Sequence, residues 1–187
     1  MTQPTTLFSI DREGWCEQAR KVPSPITMRG LSPEDVSLLV IHGISLPPGS
    51  LVAPLSTICF WGASIPVLTP YFAGIHQLRV SAHCLIRRDG ELVQYVPLAP
   101  GAWHAGVSSW EEEACNDFSI GIELEGTDEL PYSDKHTRCC RTSVGRLFTV
   151  IPPSRRTVLS VTATSRRAAR RIRVTVSNGL AIGKASL

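Results

Sequence analysis

The segment FSIGIEL, residues 118–124, decides how the rest of this 187-residue chain is interpreted. It is short and apolar, which predicts a strand buried within a sheet. Gly121 inside the segment indicates a place where another group approaches the backbone closely. Glu123 is an acid within this apolar strand, and a buried carboxylate must be paired or must carry out chemistry.

Four more segments place this strand in an α/β fold. Ser37–His42 (SLLVIH) predicts a strand whose last residue is a histidine, and α/β folds place their chemistry at such strand ends. Val80–Ile86 and Glu91–Val96 predict a pair of strands joined by a tight turn at Arg87–Gly90. Asp11–Val22 predicts a short helix that ends before a proline.

Two other stretches give no clear structural prediction. Residues 51–69 are apolar without a helical or strand period, and residues from Ser133 onward show no helical stripe. The segment Ala102–Gly106 (AWHAG) is predicted to be a loop.

Charge and cysteine usage restrict the class of protein. Residues 1–132 hold 7 Lys and Arg against 15 Asp and Glu, whereas residues 133–187 hold 12 Lys and Arg against the single acid Asp134. A basic arm of this kind is typical of nucleic-acid or membrane binding. The six cysteines form no C-x-x-C motif, Met1–Ile10 has no signal-peptide pattern and no apolar run has the length of a membrane span. We therefore expect a cytoplasmic protein with free thiols.

Individual residues leave several interpretations open. His42 is about as well explained by a structural role as by metal binding. Glu123 and Glu125 share a strand face and could form an acid pair of the glycosidase kind. His83 and His104 could be core residues or could lie at the rim of a site.

Four stretches, taken in order, are more specific than any single residue. They are LLVIHGISLPPG (38–49), PYFAGIHQLRVSAHCLIRRDGELVQYVP (70–97), AWHAGVSSW (102–110) and CNDFSIGIELEGTDELPYSDK (115–135). Together they resemble the AmpD-type 1,6-anhydro-N-acetylmuramyl-L-alanine amidases. More broadly, they resemble the amidase family that includes phage lysozyme-type amidases and peptidoglycan recognition proteins. Residues 30–132 carry nearly all of this resemblance.

The resemblance implies a fold, a cofactor and a reaction. The fold is a mixed β-sheet flanked by helices, and the cofactor is one Zn²⁺ held by two His and one Asp with water completing the site. The reaction is hydrolysis of the amide between anhydro-N-acetylmuramic acid and L-alanine in muropeptides, during cytoplasmic cell-wall recycling. We expect the protein to act on this small molecule as a monomer.

The resemblance also implies roles for residues within its motifs. His42 corresponds to the first zinc ligand, and Glu123 corresponds to the catalytic acid and base. Arg79 corresponds to a basic residue that holds a carboxylate of the peptide stem. Trp103 and His104 would line the substrate cleft.

The chain departs from the family in three places. Gly43 stands where the family usually has Asn, and Ala114 stands where it usually has Arg. The late motif Gly-His-Cys-Asp-Ile-Ala-Pro, with its following Asp, supplies the remaining zinc ligands in the family and is absent here. Codons can be chosen for the family's fourteen-residue stretch Gly-His-Cys-Asp-Ile-Ala-Pro-Gly-Arg-Lys-Thr-Asp-Pro-Gly that, read one base later, encode the thirteen residues Val161–Arg173. We therefore predict that the chain leaves the family's reading frame shortly after Lys135 and that residues 51–69 contain a shorter shifted patch.

These observations predict an amidase-like domain, residues 1–132, followed by a basic tail, residues 133–187, that does not match the family. Three functions follow as hypotheses: a zinc amidase, a catalytically defective muropeptide-binding protein with an incomplete zinc site, and a nucleic-acid binder. The last rests on the arginine count alone, and arginines that arise from a shifted frame carry no functional information. We therefore expect neither nucleic acid nor membrane as a partner. With one family ligand left, the chain is predicted to bind zinc weakly and to hydrolyse little.

Overall fold

The computed structural model describes residues 9–28, 35–47, 49, 53–61, 70–75, 77–98, 100–110, 113–127, 130–150, 157–162, 171–173 and 185–186. The strands are β1 (Arg20–Lys21), β2 (Leu38–Ile44), β3 (Cys84–Ile86), β4 (Leu92–Gln94), β5 (Ser109–Trp110), β6 (Glu113–Ala114), β7 (Ser119–Glu125), β8 (Thr157–Thr162), β9 (Arg171–Arg173) and β10 (Ala185–Ser186). The helices are α1 (Ala53–Phe60), α2 (Pro70–Ile75) and α3 (Asp134–Val150), with a 3₁₀ turn at Cys115–Asp117.

A mixed sheet forms the centre of the molecule, in the order β1-β4-β3-β7-β2-β8-β9. Strand β7 lies between β3 and β2 and runs parallel to both, and β2 is also parallel to β8. Strands β3 and β4 are antiparallel, as are β8 and β9. The expected mixed sheet flanked by helices is therefore confirmed.

The central strands are buried because their residues are apolar on both faces. Leu38 and Leu39 of β2 and Ile120 and Ile122 of β7 are all at most 1% exposed. Side chains that alternate along a strand point to opposite faces, so such strands must be covered on both sides. The predicted strand at residues 118–124 is confirmed, shifted by one residue to Ser119–Glu125.

The predicted turn between β3 and β4 is also confirmed. The Arg87 N–H donates to the Glu91 carbonyl at 2.9 Å, and the Gly90 N–H donates to the Arg87 carbonyl at 2.9 Å. Gly90 has a φ of +88°, a conformation that side-chain-bearing residues rarely adopt. The turn therefore requires a glycine where the sequence supplies one.

The predicted helix at Asp11–Val22 is wrong. The Asp11 carboxylate accepts the N–H groups of Glu13 at 3.0 Å and Trp15 at 2.8 Å, and Gly14 has a φ of +88°. Side chains of this kind offer the backbone an alternative to a helix. The segment is a series of turns, held to the sheet by Gln94, whose amide oxygen accepts the Cys16 N–H at 2.6 Å.

The prediction that no helical stripe follows Ser133 is also wrong, since α3 spans Asp134–Val150. Its inward positions are small or polar: His136 and Ser143 are buried, and Cys139 and Cys140 are partly buried against a core cluster. These positions follow the three- and four-residue spacing of a helix face. A search for large apolar residues misses such a face.

Helix α1 lies within residues 51–69, which gave no clear pattern. Its Phe60 packs in a core cluster with Leu85, Val93 and Tyr95, and the hydroxyls of Thr57 and Tyr95 are 2.8 Å apart. Part of this stretch is therefore integrated with the sheet. None of the described helices combines the length and apolar character that a bilayer crossing requires.

Candidate functional site

Two polar side chains meet at one end of the central sheet. His42 on β2 lies directly opposite Glu123 on β7 in the parallel register. Neighbouring strands are about 4.8 Å apart and paired residues project from the same face. His42 is 5% exposed and Glu123 is 6% exposed, so an imidazole and a carboxylate share one partly enclosed position.

His104 lies beneath this position. Its Nδ1 is 3.1 Å from His42 Nε2, and its Nε2 is 3.0 Å from the Ser119 hydroxyl. The ring centroids of His42 and His104 are 5.3 Å apart in an edge-to-face arrangement. His104 is 7% exposed, so it is a buried residue that contacts the inner side of His42. The expectation that His104 contacts substrate stays a prediction.

Gly121 on β7 makes room for the His104 ring. A Cβ atom added to Gly121 would come within 2.2 Å of His104 Cγ, a distance that real Cβ atoms do not show. This is the close backbone approach that the glycine in FSIGIEL predicted. Burial lowers the pKa of His104 well below its ordinary value of 6.5, and the nearby His42 and His83 lower that pKa further.

His83 serves the sheet through both ring nitrogens. Its Nδ1 accepts the Gly121 N–H at 3.0 Å, and its Nε2 lies 3.2 Å from the Pro100 carbonyl. Burial lowers the pKa of His83 to about 4, while the Pro100 carbonyl opposes this shift. A neutral His83 tied to two backbone groups is a core residue that supports the sheet, which is one of the two roles that the sequence left open.

Two residues that the sequence interpretation missed fix the AWHAG loop. The Asn116 side chain accepts the N–H groups of His104 at 3.2 Å and Ala105 at 2.9 Å, and it donates to the Gly106 carbonyl at 3.1 Å. Ser119 contacts the His104 ring. Both lie in the motif CNDFS, and the signal that could have found them is a pair of polar residues beside a buried strand.

Trp103 and Arg79, two predicted substrate-binding residues, lie on neighbouring segments. The Trp103 N–H donates to the Ser81 hydroxyl at 3.0 Å, and the Ser81 N–H donates to the Trp103 carbonyl at 3.1 Å. This double link anchors the Trp103 backbone while 44% of the residue stays exposed. Arg79, two residues before Ser81, is also exposed.

Glu125 has a structural partner of its own. Its carboxylate accepts the Arg88 N–H at 3.0 Å and lies 4.0 Å from Arg87 Nε. The carboxylate therefore anchors the β3–β4 turn. This arrangement removes the main reason to pair Glu125 with Glu123 as glycosidase acids.

Helix α1 forms a further side of the site, whereas Tyr132 packs against the opposite face of the sheet. Burial raises the pKa of the Cys59 thiol on α1 to about 11, and the charge of Glu123 adds to this shift. A Cβ atom added to Gly43, where the family usually has Asn, would lie 3.5 Å from Tyr132 Oη. Tyr132 also packs on Gly126, where an added Cβ would approach its ring to 2.4 Å. No motif or periodicity in the sequence indicates these positions of Cys59 and Tyr132.

The described donors do not fit the zinc site that the resemblance implies. Within the described parts of the chain, no three His, Cys, Asp or Glu side chains converge on a point that could hold a metal ion. Beyond His136 the sequence contains no His, Asp or Glu. A catalytic zinc needs three protein ligands, and His42 supplies one.

Comparisons with known proteins agree with this fold. The sequence profile of the N-acetylmuramoyl-L-alanine amidase family matches residues 32–175. The 1,6-anhydro-N-acetylmuramyl-L-alanine amidase AmpD of Citrobacter freundii is 56% identical over 141 residues, which cover 75% of each chain. The protein of the same name from Escherichia coli K12 is 58% identical over 123 residues, which cover 65% of this chain and 67% of that one.

A solved structure gives the same result. The crystal structure of a selenomethionine derivative of AmpD superposes with a TM-score of 0.71 at 54% sequence identity. The superposition covers 77% of this chain and 80% of that one. On the profile match and these identities, the chain belongs to the N-acetylmuramoyl-L-alanine amidase family of enzymes.

Proposed function

We propose that this chain acts on muropeptides and hydrolyses the amide between anhydro-N-acetylmuramic acid and L-alanine. The observation that carries the proposal is the pairing of His42 and Glu123 at the end of two parallel strands. Each of the two residues is less than 10% exposed. The relatives named for this activity, at 56–58% identity, support the choice of bond.

Glu123 is proposed as the acid and base of this reaction. A carboxylate at this position accepts a proton from water as the water oxygen bonds to the amide carbonyl carbon. It then gives that proton to the alanine nitrogen as the carbon–nitrogen bond breaks. Its enclosure between β2, β3 and α1 favours such proton transfer, because bulk water does not compete there.

Two exposed side chains are proposed to hold the substrate. Arg79 pairs with a carboxylate of the peptide stem, since a guanidinium binds carboxylates in a fixed two-point geometry. Trp103 offers an apolar face against the sugar ring. Its backbone is fixed to Ser81 by two hydrogen bonds, so little freedom is lost when substrate binds.

The cofactor is the point at which this chain differs from the family expectation. The described donors around His42 do not complete a zinc site, so we assign no step to a metal and expect low zinc occupancy. Participation in cytoplasmic cell-wall recycling, as a monomer, is proposed on the resemblance alone.

A second candidate function follows from the same incomplete donor set. A chain that keeps the cleft but lacks metal ligands would bind muropeptide without cutting it. The feature that favours this alternative is the absence of a three-donor cluster among the described residues. It predicts affinity for the substrate with no release of peptide.

One experiment separates the two functions. The purified 187-residue chain is incubated with anhydro-N-acetylmuramyl-L-alanine carrying a stem peptide, with and without added zinc. Chromatography measures released peptide, calorimetry measures binding and elemental analysis measures zinc. We expect binding, less than one zinc per chain and slow hydrolysis. Binding without hydrolysis in either condition favours the second candidate, and the absence of both overturns the proposal.

Matched variants test the assigned acid. Glu123→Gln should lower any hydrolysis by about 100-fold or more while binding is kept, because it removes proton transfer alone. Glu125→Gln alters a neighbouring buried carboxylate that anchors a turn, so it should lower stability and leave the specific activity of the folded fraction nearly unchanged. Equal losses in the two variants would contradict the role of Glu123.

A further inference from the structure

A continuous line of buried polar groups runs from the backbone of residue 115 to His42. The Ser119 hydroxyl donates to the Cys115 carbonyl. The same hydroxyl lies 3.0 Å from His104 Nε2, and His104 Nδ1 lies 3.1 Å from His42 Nε2. Ser119 is fully buried, and His42 and His104 are each less than 10% exposed.

The direction of each hydrogen bond in this line can be worked out from its fixed end. A carbonyl oxygen accepts and never donates, so the single hydrogen of the Ser119 hydroxyl is committed to Cys115. The hydroxyl can then only accept from His104. His104 therefore carries a hydrogen on Nε2.

The hydrogen on His104 also fixes the position of the hydrogen on His42. A buried imidazole between a hydroxyl and another imidazole is neutral, because burial disfavours its charged form. A neutral ring with a hydrogen on Nε2 has a bare Nδ1, which accepts. His42 Nε2 must therefore donate to His104, and in neutral His42 the remaining nitrogen, Nδ1, is an acceptor.

We propose that Ser119 and His104 are positioning residues that hold His42 in one tautomer, with the hydrogen on Nε2 and an unprotonated Nδ1. In this arrangement the Nε2 edge of the His42 ring faces His104, and Nδ1 is the nitrogen that can accept a hydrogen bond or bind a ligand. Its importance for hydrolysis rests on the proposed function, but the tautomer itself does not.

Packing makes this line rigid. The His104 ring lies against Gly121, where an added Cβ would come within 2.2 Å, and its backbone N–H donates to Asn116 at 3.2 Å. The ring therefore has little room to turn away from Ser119 and His42. A side chain held this way transmits a tautomer preference, since the second nitrogen of a histidine sets the state of the first.

Nitrogen-15 NMR of histidine side chains reads the tautomer directly, because protonated and bare ring nitrogens resonate far apart. The apo chain is examined at neutral pH. We expect His42 and His104 to show bare Nδ1 and protonated Nε2. His83 should show the same tautomer for an independent reason, since its Nδ1 accepts the Gly121 N–H. His83 therefore serves as an internal reference for an intact fold.

Substitutions then test the transmission. Ser119→Ala removes the acceptor of the His104 N–H and should reduce the tautomer preference of His104 and of His42 by roughly three- to tenfold, the net effect of one hydrogen bond. His104→Phe keeps a ring in the same space but removes the acceptor of the His42 N–H. It should reduce the tautomer preference of His42 and leave His83 unchanged. Ser81→Ala removes an equally buried serine that anchors Trp103, and it should leave all three histidines unchanged.

Several results would overturn the proposal. A protonated Nδ1 on His42 in the unmodified chain contradicts it, and so does a His42 tautomer that survives both Ser119→Ala and His104→Phe while His83 is native. If one variant fails to fold, as judged by the His83 signals, the other decides. Activity is measured separately: an unchanged tautomer with no hydrolysis counts against the proposed function and not against this inference.

Discussion

The site depends on how one glycine and one histidine share space. His104 can lie under His42 because residue 121 has no side chain, and a Cβ there would meet the imidazole at 2.2 Å from Cγ, 2.5 Å from Cδ2 and 2.5 Å from Nδ1. The same glycine donates its N–H to His83. Gly121 thus links the two buried imidazoles through its backbone and through the space it leaves.

Gly121→Ala is predicted to destabilise the protein and to displace His104. Overpacking of a rigid site costs about 1–3 kcal/mol, and this neighbour is a buried ring with few alternative positions. Urea unfolding followed by circular dichroism measures the change. The matched control is Gly145→Ala in α3, where nothing lies within 4 Å of the added Cβ. That variant should gain about 0.5–1 kcal/mol because alanine favours a helix. Equal effects at both positions would contradict the steric argument.

Helix α3 is fixed at its first turn by a serine that has two hydrogen-bond partners. The Ser133 hydroxyl accepts the His136 N–H at 3.1 Å, and it donates to the Arg88 carbonyl at 2.5 Å. The Ser133 carbonyl accepts the Thr137 N–H at 2.9 Å, which begins the helix. One residue therefore caps the helix and ties it to the turn after β3.

Ser133→Ala is predicted to lower the free energy of unfolding by about 1–2 kcal/mol, since loss of a helix cap costs about 1 and the bond to Arg88 is lost with it. The measurement is the urea midpoint at constant slope. Thr142→Ala, which removes an exposed hydroxyl that donates to the Arg138 carbonyl within the same helix, should change the midpoint much less. A similar decrease of the urea midpoint in both variants would show that the Ser133 cap contributes no more to stability than an exposed hydroxyl within the helix.

Elements with strong apolar patterns were predictable from the sequence, and those with polar faces were not. The strand around Gly121 and the turn at Gly90 follow from residue types alone. Helix α3 was missed because its buried face consists of His136, Ser143 and two cysteines, and the packing of neighbouring elements determines whether such residues are buried. The helix expected near Asp11 fails because Gln94, far away in sequence, binds its backbone.

Some residues of the candidate site could be predicted from the sequence and others could not. His42 and Glu123 were found because a buried strand held a polar residue and because the motifs resemble a family. Ser119 and Asn116 carry no pattern of their own, and their roles come from contacts with the AWHAG loop. Periodicity cannot reveal a contact between segments joined only in the folded chain.

The free energy of unfolding of the protein is expected to fall in acid. Burial lowers the pKa of His83 to about 4 from an ordinary 6.5. The unfolded chain therefore takes up a proton near 6.5 that the folded chain refuses until about 4. The stability that neutral His83 contributes is fully present above about pH 6.5 and is lost as the pH falls from there to about 4. The loss amounts to roughly 3 kcal/mol of unfolding free energy at most. Urea midpoints between pH 7 and pH 4 measure the slope, and His83→Gln, which cannot titrate, should flatten it. An unchanged slope would assign the acid sensitivity to other groups.

Truncated chains can show whether the basic third of the protein, residues 133–187, belongs to the fold. Helix α3 places Cys139 and Cys140 against the core cluster, and β8 pairs with β2 up to Val161 opposite His42. A chain that ends after Tyr132 lacks both elements and uncovers a hydrogen-bonding edge of β2, so it should aggregate and lose cooperative unfolding.

A chain that ends after Arg173 keeps α3 and β8 and should retain the cooperative transition. Light scattering and circular dichroism of the two truncated chains make the comparison. Cooperative unfolding of the shorter chain at the full-length midpoint would mean that residues 133–187 add nothing to the fold, as an out-of-frame tail should. Loss of the transition would mean instead that residues 133–187 are part of the fold, with α3 packed on the sheet and β8 paired with β2.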